Sequence, residues 1–428
     1  MSWDFSPDAE FAAKLGWIER FVRDELIPIE PLHGHVNSAT WEQITAPLKQ
    51  KVRDAGLWAA HLEHDLGGTG MGQAPLAQMN FITGRCPWAQ VIFGNMAPDA
   101  GNAELIAAGG TPEQKDKWLW PNLRGDLRSA FAITEPFVAG SDPTQMSTTA
   151  VLDGDHWVLN GRKWMITNAS CADFTIFMVV TNPDAPPHLR CSMIVVEKGT
   201  PGLNVTRDIP TMHDLDPIYG TAGNHAEIVL DNVRVPRSNL IGEVGGGFIL
   251  SQVRLGPGRL HHASRWIGEA ERAYDMMCER ALSRASFGKT FAKHQLVQDS
   301  IAESRIDLDT AKLLTMRAAW RFDKEGGLAA RTDIAAVKVY NARVVNAVVD
   351  RALQVHGSLG YSSDLPLESM YRMARMARLV DGADEVHKVT IAKAELKRYQ
   401  PVAGWPSEHI PTRLAQARER YAHLIDQP

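Results

Sequence analysis

The chain has 428 residues, enough for two or three domains with a buried interior. Its 44% hydrophobic and 22% charged content is that of an ordinary globular protein. With 45 basic and 50 acidic residues the net charge is −5, so no general attraction to nucleic acid or to an anionic membrane is expected, and no apolar run of about 18 residues is present to span a bilayer.

The first third reads as helix. Phe11, Leu15, Ile18, Val22 and Leu26 recur every three or four residues until Pro28 and Pro31 stop the pattern. Further helical patterns run from Trp41 to Ala55 and from Ala103 to Trp120, the latter interrupted at Gly109-Gly110. Beyond residue 128 the period shortens. His156 to Asn160 and Arg162 to Thr167 flank Asn160-Gly161, the signature of a tight hairpin. Phe174 to Thr181, Ser192 to Val196 and Ala226 to Leu230 read as further strands of a mostly antiparallel domain. After Gly245-Gly246-Gly247 long helices return. Ala263, Ile267, Ala270, Tyr274, Met277 and Ala281 form one apolar stripe. Ile306, Leu313, Met316 and Trp320 form a second, and Ile334, Val337, Val344 and Val348 a third, all expected to be core of a four-helix bundle. A charged helix is expected from Thr412 to Leu424.

The expected organisation is α+β: an all-helical domain over 1–128, a central β domain over 129–242, a helical bundle over 243–400 and a tail helix over 401–428. Cys86, Cys171, Cys191 and Cys278 are scattered without a CxxC pair, which argues against structural zinc and a disulfide framework. The opening MSWDFSPDAE lacks the basic and apolar segments of a secretory leader, so a cytoplasmic location is expected. Gly68-Thr69-Gly70-Met71-Gly72 neither follows a strand nor opens a βαβ unit, so it is no dinucleotide fingerprint.

Five segments in order carry the chemistry: 131–142 (FAITEPFVAGSD), 160–168 (NGRKWMITN), 233–248 (VRVPRSNLIGEVGGGF), 284–295 (RASFGKTFAKHQ) and 354–360 (QVHGSLG) with 381–385 (DGADE). Together they resemble the acyl-CoA dehydrogenase family, whose members have a helical domain, a β-barrel-like domain and a four-helix bundle. The resemblance implies bound FAD, an acyl-CoA substrate, an electron-transfer flavoprotein as electron acceptor, and a homodimer or dimer of dimers. It places Phe131, Ile133, Thr134, Gly140, Ser141, Met165 and Thr167 along the flavin and its pyrophosphate. It places Arg284, Phe287, Gln295, Gln354, Val355, Gly357 and Ser358 against the FAD of a neighbouring subunit, with Ala383 and Glu385 also beside cofactor. Ser141, Arg259 and Gly382 fall on the acyl-CoA side. Bland readings exist for each: strand-end hydroxyls cap backbone, and a lone arginine is usually a solvated or salt-bridged charge. The family's Trp before the flavin-facing Ile-Thr is Met165 here, with Trp164 one place earlier. Strand alternation would send those two to opposite faces.

Removing the α-proton of a thioester requires a carboxylate in a dry pocket, where burial is expected to raise its pKa. The family's Glu is replaced by Asp381, and a second family location for the base holds Gly258. Asp381-Gly382 also reads as a plain turn. The strings 97–102 (APDAGN), 255–262 (LGPGRLHH) and 381–387 (DGADEVH) resemble the dehydrogenase portions of family members ten and eleven, which also carry Asp at the base position. The implied reaction is oxidation of an acyl-CoA to the 2-enoyl-CoA, on ordinary, long, branched or 4-phosphorylated acyl groups. Two alternatives on the same fold are a nitroalkane-oxidase-like flavin oxidase using the same Asp, and a flavin-containing nucleic-acid-binding protein.

Overall fold

The computed structural model describes residues 5–212 and 225–425. The first helix, α1 (Ala9–Phe21), opens on an Asp8 cap that accepts from the Phe11 amide. It continues through a widened turn over 22–26 and a tighter one over 27–32 that contains both Pro28 and Pro31 and ends at His33. Helices α2 (Ser38–Asp54), α3 (Gln73–Thr83) and α4 (Asp99–Gly109) complete the main framework of this part. The glycine-rich string at 68–72 leads into α3. The amides of Gln73 and Ala74, at the start of that helix, donate to the Asp323 carboxylate at 2.7 and 2.9 Å. The glycines thus serve a helix N-terminus paired with a side chain from the bundle.

The central sheet has eight strands: β1 (Ser129–Ala132), β2 (Thr149–Asp153), β3 (His156–Thr167), β4 (Phe174–Val180), β5 (Cys191–Glu197), β6 (Leu203–Ile209), β7 (His225–Pro236) and β8 (Leu240–Ile241). Their order is β6-β7-β3-β2-β4-β5-β8, mainly antiparallel, with β1 added parallel to β4. The hairpin expected at Asn160-Gly161 does not exist, because β3 runs straight through it. Gly161 has φ +146°, and the pairing with β7 shifts register beside it: Asn160 alone faces Asp231 and Asn232, so the extra residue of the bulge lies on β7, where Asn232 has φ +50°. The Asn160 side chain accepts from the Asn232 amide at 2.8 Å on β7, locking that irregularity. The real turn lies one step earlier, at Gly154-Asp155 between β2 and β3.

The bundle is built on α5 (Gly247–Ser283), α6 (Gln295–Glu325) and α7 (Arg331–His356). A two-stranded hairpin, β9 (Ala285–Ser286) and β10 (Lys289–Thr290), joins the first two. The stripes on α5 and α7 are core, with Ala263, Ile267, Ala270, Val337 and Val348 buried. The α6 stripe is only partly so. Ile306 and Leu313 are exposed, and α6 buries Leu308, Ala311, Met316, Ala318 and Ala319 instead. Small residues let it approach its neighbours closely, which turns the two large ones outward. The fourth member of the bundle is broken into α8 (Leu367–Met376) and α9 (Asp384–Leu396), both packed on α7. The tail carries α10 (Ile410–Arg420). Among the described residues no helix is long and apolar enough to cross a membrane.

Candidate active site around Asp381

Asp381 sits in the break between α8 and α9, and the break is held from three sides. Asp384 accepts from Arg378 at 2.9 Å and lies 3.4 Å from the fully buried Lys338 of α7. The Asp381 carbonyl accepts from Arg259 Nε at 3.0 Å and from His387 Nε2 at 3.1 Å. Asp381 and Gly382 have φ of +53° and +98°. Aspartate tolerates this left-handed turn and glycine suits it, and a Cβ on Gly382 would meet His387 Nε2 at 3.0 Å. The turn reading of Asp-Gly is therefore correct, and the turn leaves the Asp381 side chain facing a cavity.

The carboxylate faces a cavity of ≈ 50 Å³ lined by α4, α5 and the 95–97 segment, with Glu104, Arg254, Gly258, His262 and Arg265 on its walls. His262 Nε2 lies 3.5 Å from Asp381 Oδ2, and that oxygen has no hydrogen-bond partner. Burial by itself would lift the Asp381 pKa, as expected from sequence. The opposite holds: His262, Arg254, Arg259 and Lys338 together keep it below its ordinary value. Burial pushes His262 down to about 4, helped by Arg265, so its imidazole is neutral at pH 7. Arg254 and Arg265 are each lowered by burial to about 10 and stay charged. Glu104 is pushed up to about 8 by burial, against the pull of Arg254. Two carboxyl groups on one cavity are thus held in opposite protonation states.

Arg254 links this cavity to the expected flavin strand. Its guanidinium stacks 4.0 Å from the Phe131 ring centroid, and its Nε donates to Asn102 Oδ1 at 3.1 Å. Asn102 donates on to Ser129 Oγ and the Ala130 carbonyl. Asp99 accepts from the Ser129 amide at 2.6 Å and fixes the start of β1.

The structure brings part of the expected flavin set together. Thr134 Oγ1 donates to the Trp164 carbonyl at 2.6 Å, and the Trp164 amide donates back to the Thr134 carbonyl. Lys163 Nζ donates to the Ile133 carbonyl and pairs with Glu135. Met165 has φ +54°, and the pairing of β3 with β7 breaks between Lys163 and Ile166, so plain alternation does not govern Trp164 and Met165. Thr167 Oγ1 lies 3.0 Å from His225 Nδ1. Gly140 and Ser141 are exposed in the turn that follows, and their amides and the Ser141 hydroxyl carry no hydrogen bond among the described residues. Hydroxyls, an exposed Met165 and free turn amides suit the polar edge of a flavin and its pyrophosphate, so the donor set fits FAD.

Arg284, Phe287, Gln295, Gln354, Gly357 and Ser358 are exposed and Val355 is partly buried. No hydrogen bond or ion pair among the described residues joins them to β1 or β3. Phe287 is 96% exposed at the tip of the β9–β10 hairpin. Ala383 caps α9 and Glu385 stands exposed in its first turn. Arg259 donates to the Asp381 carbonyl through Nε, a contact that does not exclude its expected place on the acyl-CoA side. Sequence reasoning also missed Arg254, Arg265, Glu104 and His262 as site residues. Their signal was present, since Glu104 follows the 97–102 string and His262 ends the 255–262 string.

Three family models cover most of the chain: the acyl-CoA dehydrogenase N-terminal domain over 13–126, middle domain over 130–233 and C-terminal domain over 245–396. The protein named probable acyl-CoA dehydrogenase FadE2 of Mycobacterium tuberculosis is 44% identical over 363 residues, covering 83% of this chain and 86% of its own. Acyl-CoA dehydrogenase family member 11 of Homo sapiens is 41% identical over 391 residues, covering 89% of this chain. That stretch is 49% of the human protein, so the chain spans about half its length. A solved structure from Mycobacterium abscessus, described as a candidate acyl-CoA dehydrogenase, superposes with a TM-score of 0.86 at 38% identity, covering 92% of this chain and 100% of its own. The chain belongs to the acyl-CoA dehydrogenase family of FAD-dependent oxidoreductases.

Proposed function

We propose that the protein oxidises the Cα–Cβ bond of an acyl-CoA, with Asp381 taking the α-proton and trans-2-enoyl-CoA as product. The observation that carries this reading is a partly buried carboxylate, held below its ordinary pKa, that faces a polar cavity. Bound FAD supplies the two-electron acceptor for the hydride leaving Cβ. The residues of this chain do the rest. Arg259 and His387 fix the Asp381 carbonyl, and the walls of the cavity limit water. Phe131, Ile133, Thr134, Met165 and Thr167 line the flavin edge, with Gly140 and Ser141 at its pyrophosphate. Ser141, Arg259 and Gly382 also lie on the substrate side.

The cavity favours one acyl class. Arg254 and Arg265 place two positive charges beside Asp381, and Glu104 is neutral at pH 7. Ala97, Ala100 and Leu255 offer an alkyl chain some apolar contact, but an acyl group carrying a phosphoryl on its fourth carbon would also meet charge-assisted donors that an alkyl chain cannot use. Among the acyl classes open from sequence, the 4-phosphorylated one is therefore our reading. Arg284, Phe287, Gln295, Gln354, Val355, Gly357 and Ser358 serve the FAD of a second copy in a homodimer or dimer of dimers, which accounts for a fully exposed phenylalanine. Ala383 and Glu385 stand beside the same cofactor. An electron-transfer flavoprotein is the proposed oxidant.

Anaerobic mixing of the holoenzyme with unbranched, 2-methyl-branched and 4-phosphorylated acyl-CoAs tests the reading through flavin bleaching. Bleaching by the phosphorylated ester, lost in Asp381→Asn with flavin retained, is the expected result. No bleaching by any CoA ester, with bleaching by a nitroalkane, overturns it in favour of an oxidase.

A further inference from the structure

Asp381 is held at its backbone by two donors, yet among the described residues its carboxylate has one titratable side chain within 4 Å, His262. We propose that His262 is the positioning residue of the proton acceptor, its Nε2–H holding Oδ2 of Asp381 so that the other oxygen meets the substrate. The inference rests on reading Asp381 as the base.

The geometry is specific. His262 comes from α5 and Asp381 from the break after α8, and both line the same cavity, with Nε2 and Oδ2 3.5 Å apart. With the Asp381 carbonyl fixed by Arg259 and His387, only the side-chain torsions are left to define where the carboxylate points. A contact of this length tightens when substrate excludes water from the site. The imidazole is neutral because burial, Arg265 and Arg254 oppose its protonation more than Asp381 favours it. A neutral donor orients the base and leaves its charge intact, whereas an imidazolium would weaken it further.

The other charged and titratable groups around the pair do not take this place. Arg254, Arg265 and His261 lie on α5 itself, and Glu104 faces the cavity from α4. Arg259 and His387 are engaged with the Asp381 carbonyl, and Lys338 of α7 with Asp384. None of them makes a hydrogen bond to the Asp381 carboxylate.

Two measurements on the holoenzyme decide it. In stopped flow, His262→Phe should reduce flavin about 10²-fold more slowly at saturating acyl-CoA, the scale of a misplaced reacting group, with an unchanged Kd for the ester. Its acid limb should move to higher pH, because one of the groups holding the Asp381 pKa down is gone. His262→Gln keeps an N–H donor and should recover much of the rate. Second, histidine-labelled ¹⁵N NMR without substrate should show His262 as the neutral Nε2–H tautomer, and its titration midpoint should fall in Asp381→Asn. Superimposable pH profiles for wild type and His262→Phe, or an unmoved midpoint in Asp381→Asn, would overturn the proposal. The NMR arm needs no substrate. A wild type that no acyl-CoA bleaches therefore removes the dehydrogenase reading, while the pair itself is still decided by its titration.

Discussion

The ammonium of Lys163 lies 2.9 Å from Oε1 of Glu135, and neither side chain reaches solvent. The remaining acceptor capacity of Glu135 is filled by the Ser147 amide and hydroxyl and by the Thr148 amide. Lys163 also donates to the Ile133 carbonyl, so this ion pair ties β3 to the segment that ends at Thr134.

Lys163→Met strands a buried carboxylate and is expected to destabilise the fold by about 3–5 kcal/mol, read as a lowered thermal midpoint. Lys163→Met with Glu135→Gln should recover part of that loss. Burial raises the Glu135 pKa, but Lys163 and the hydroxyl and amide donors outweigh it and hold it at about 2, against 4.5 in an unfolded chain. A depressed carboxylate stabilises fully above its unfolded pKa and ceases to do so as pH falls through the folded one. The pair's stabilisation is therefore present above pH 4.5 and lost between there and about pH 2. Acid unfolding of Glu135→Gln should lack this component.

Glu104 gives the reaction an alkaline limb. Below about pH 8 its carboxyl is neutral, and above that value it places a negative charge beside Arg254 and repels an anionic acyl group. The kcat/KM for a 4-phosphorylated acyl-CoA should fall above about pH 8, mainly through KM, and Glu104→Gln should abolish the fall. An uncharged acyl-CoA should show little of it. A limb of equal size for both substrates would exclude this assignment.

Gly161 tolerates no side chain. Its φ is +146°, and an added Cβ would lie 2.7 Å from the Thr148 side chain and 2.8 Å from the Thr148 Cα. Gly161→Ala should cost about 1–3 kcal/mol of stability, measured by urea unfolding, because backbone strain and overlap act together.

Arg259 separates two roles. If it orients Asp381 through the carbonyl at 3.0 Å, Arg259→Met lowers the rate of flavin reduction by about 10–100-fold and changes the Kd of the acyl-CoA little. A loss confined to Kd would return the residue to a purely substrate-binding role.

How far the sequence reached depended on the kind of signal. Long helices with an apolar period, such as Ala263 to Ala281, were legible because burial repeats along one face. Asn160-Gly161 misled because a positive-φ glycine also occurs within a continuous strand opposite a bulge, and only the pairing with β7 distinguishes that from a turn. Ile306 and Leu313 misled in the opposite way, since periodicity marks an apolar face without saying whether the same chain covers it. Asp381 was singled out through its motif. The depressed pKa was not, because the opposing charges of Arg254, Arg259 and Lys338 lie 43 or more residues away in sequence. His262 and Glu104 belong to quoted strings, but only the cavity shows that those strings face one another.

Gly258 lies on the cavity wall in α5, and a Cβ placed there would touch nothing within 4 Å. It occupies the other position from which relatives are expected to supply the base. The helix keeps an open berth for a carboxylate while the loop carries one. On the reading of Asp381 as the base, Gly258→Glu combined with Asp381→Gly is expected to move proton removal from the loop to the helix, measured as flavin bleaching by an acyl-CoA that Asp381→Gly alone lacks. Descent within such a scaffold can relocate its chemistry without rebuilding its architecture.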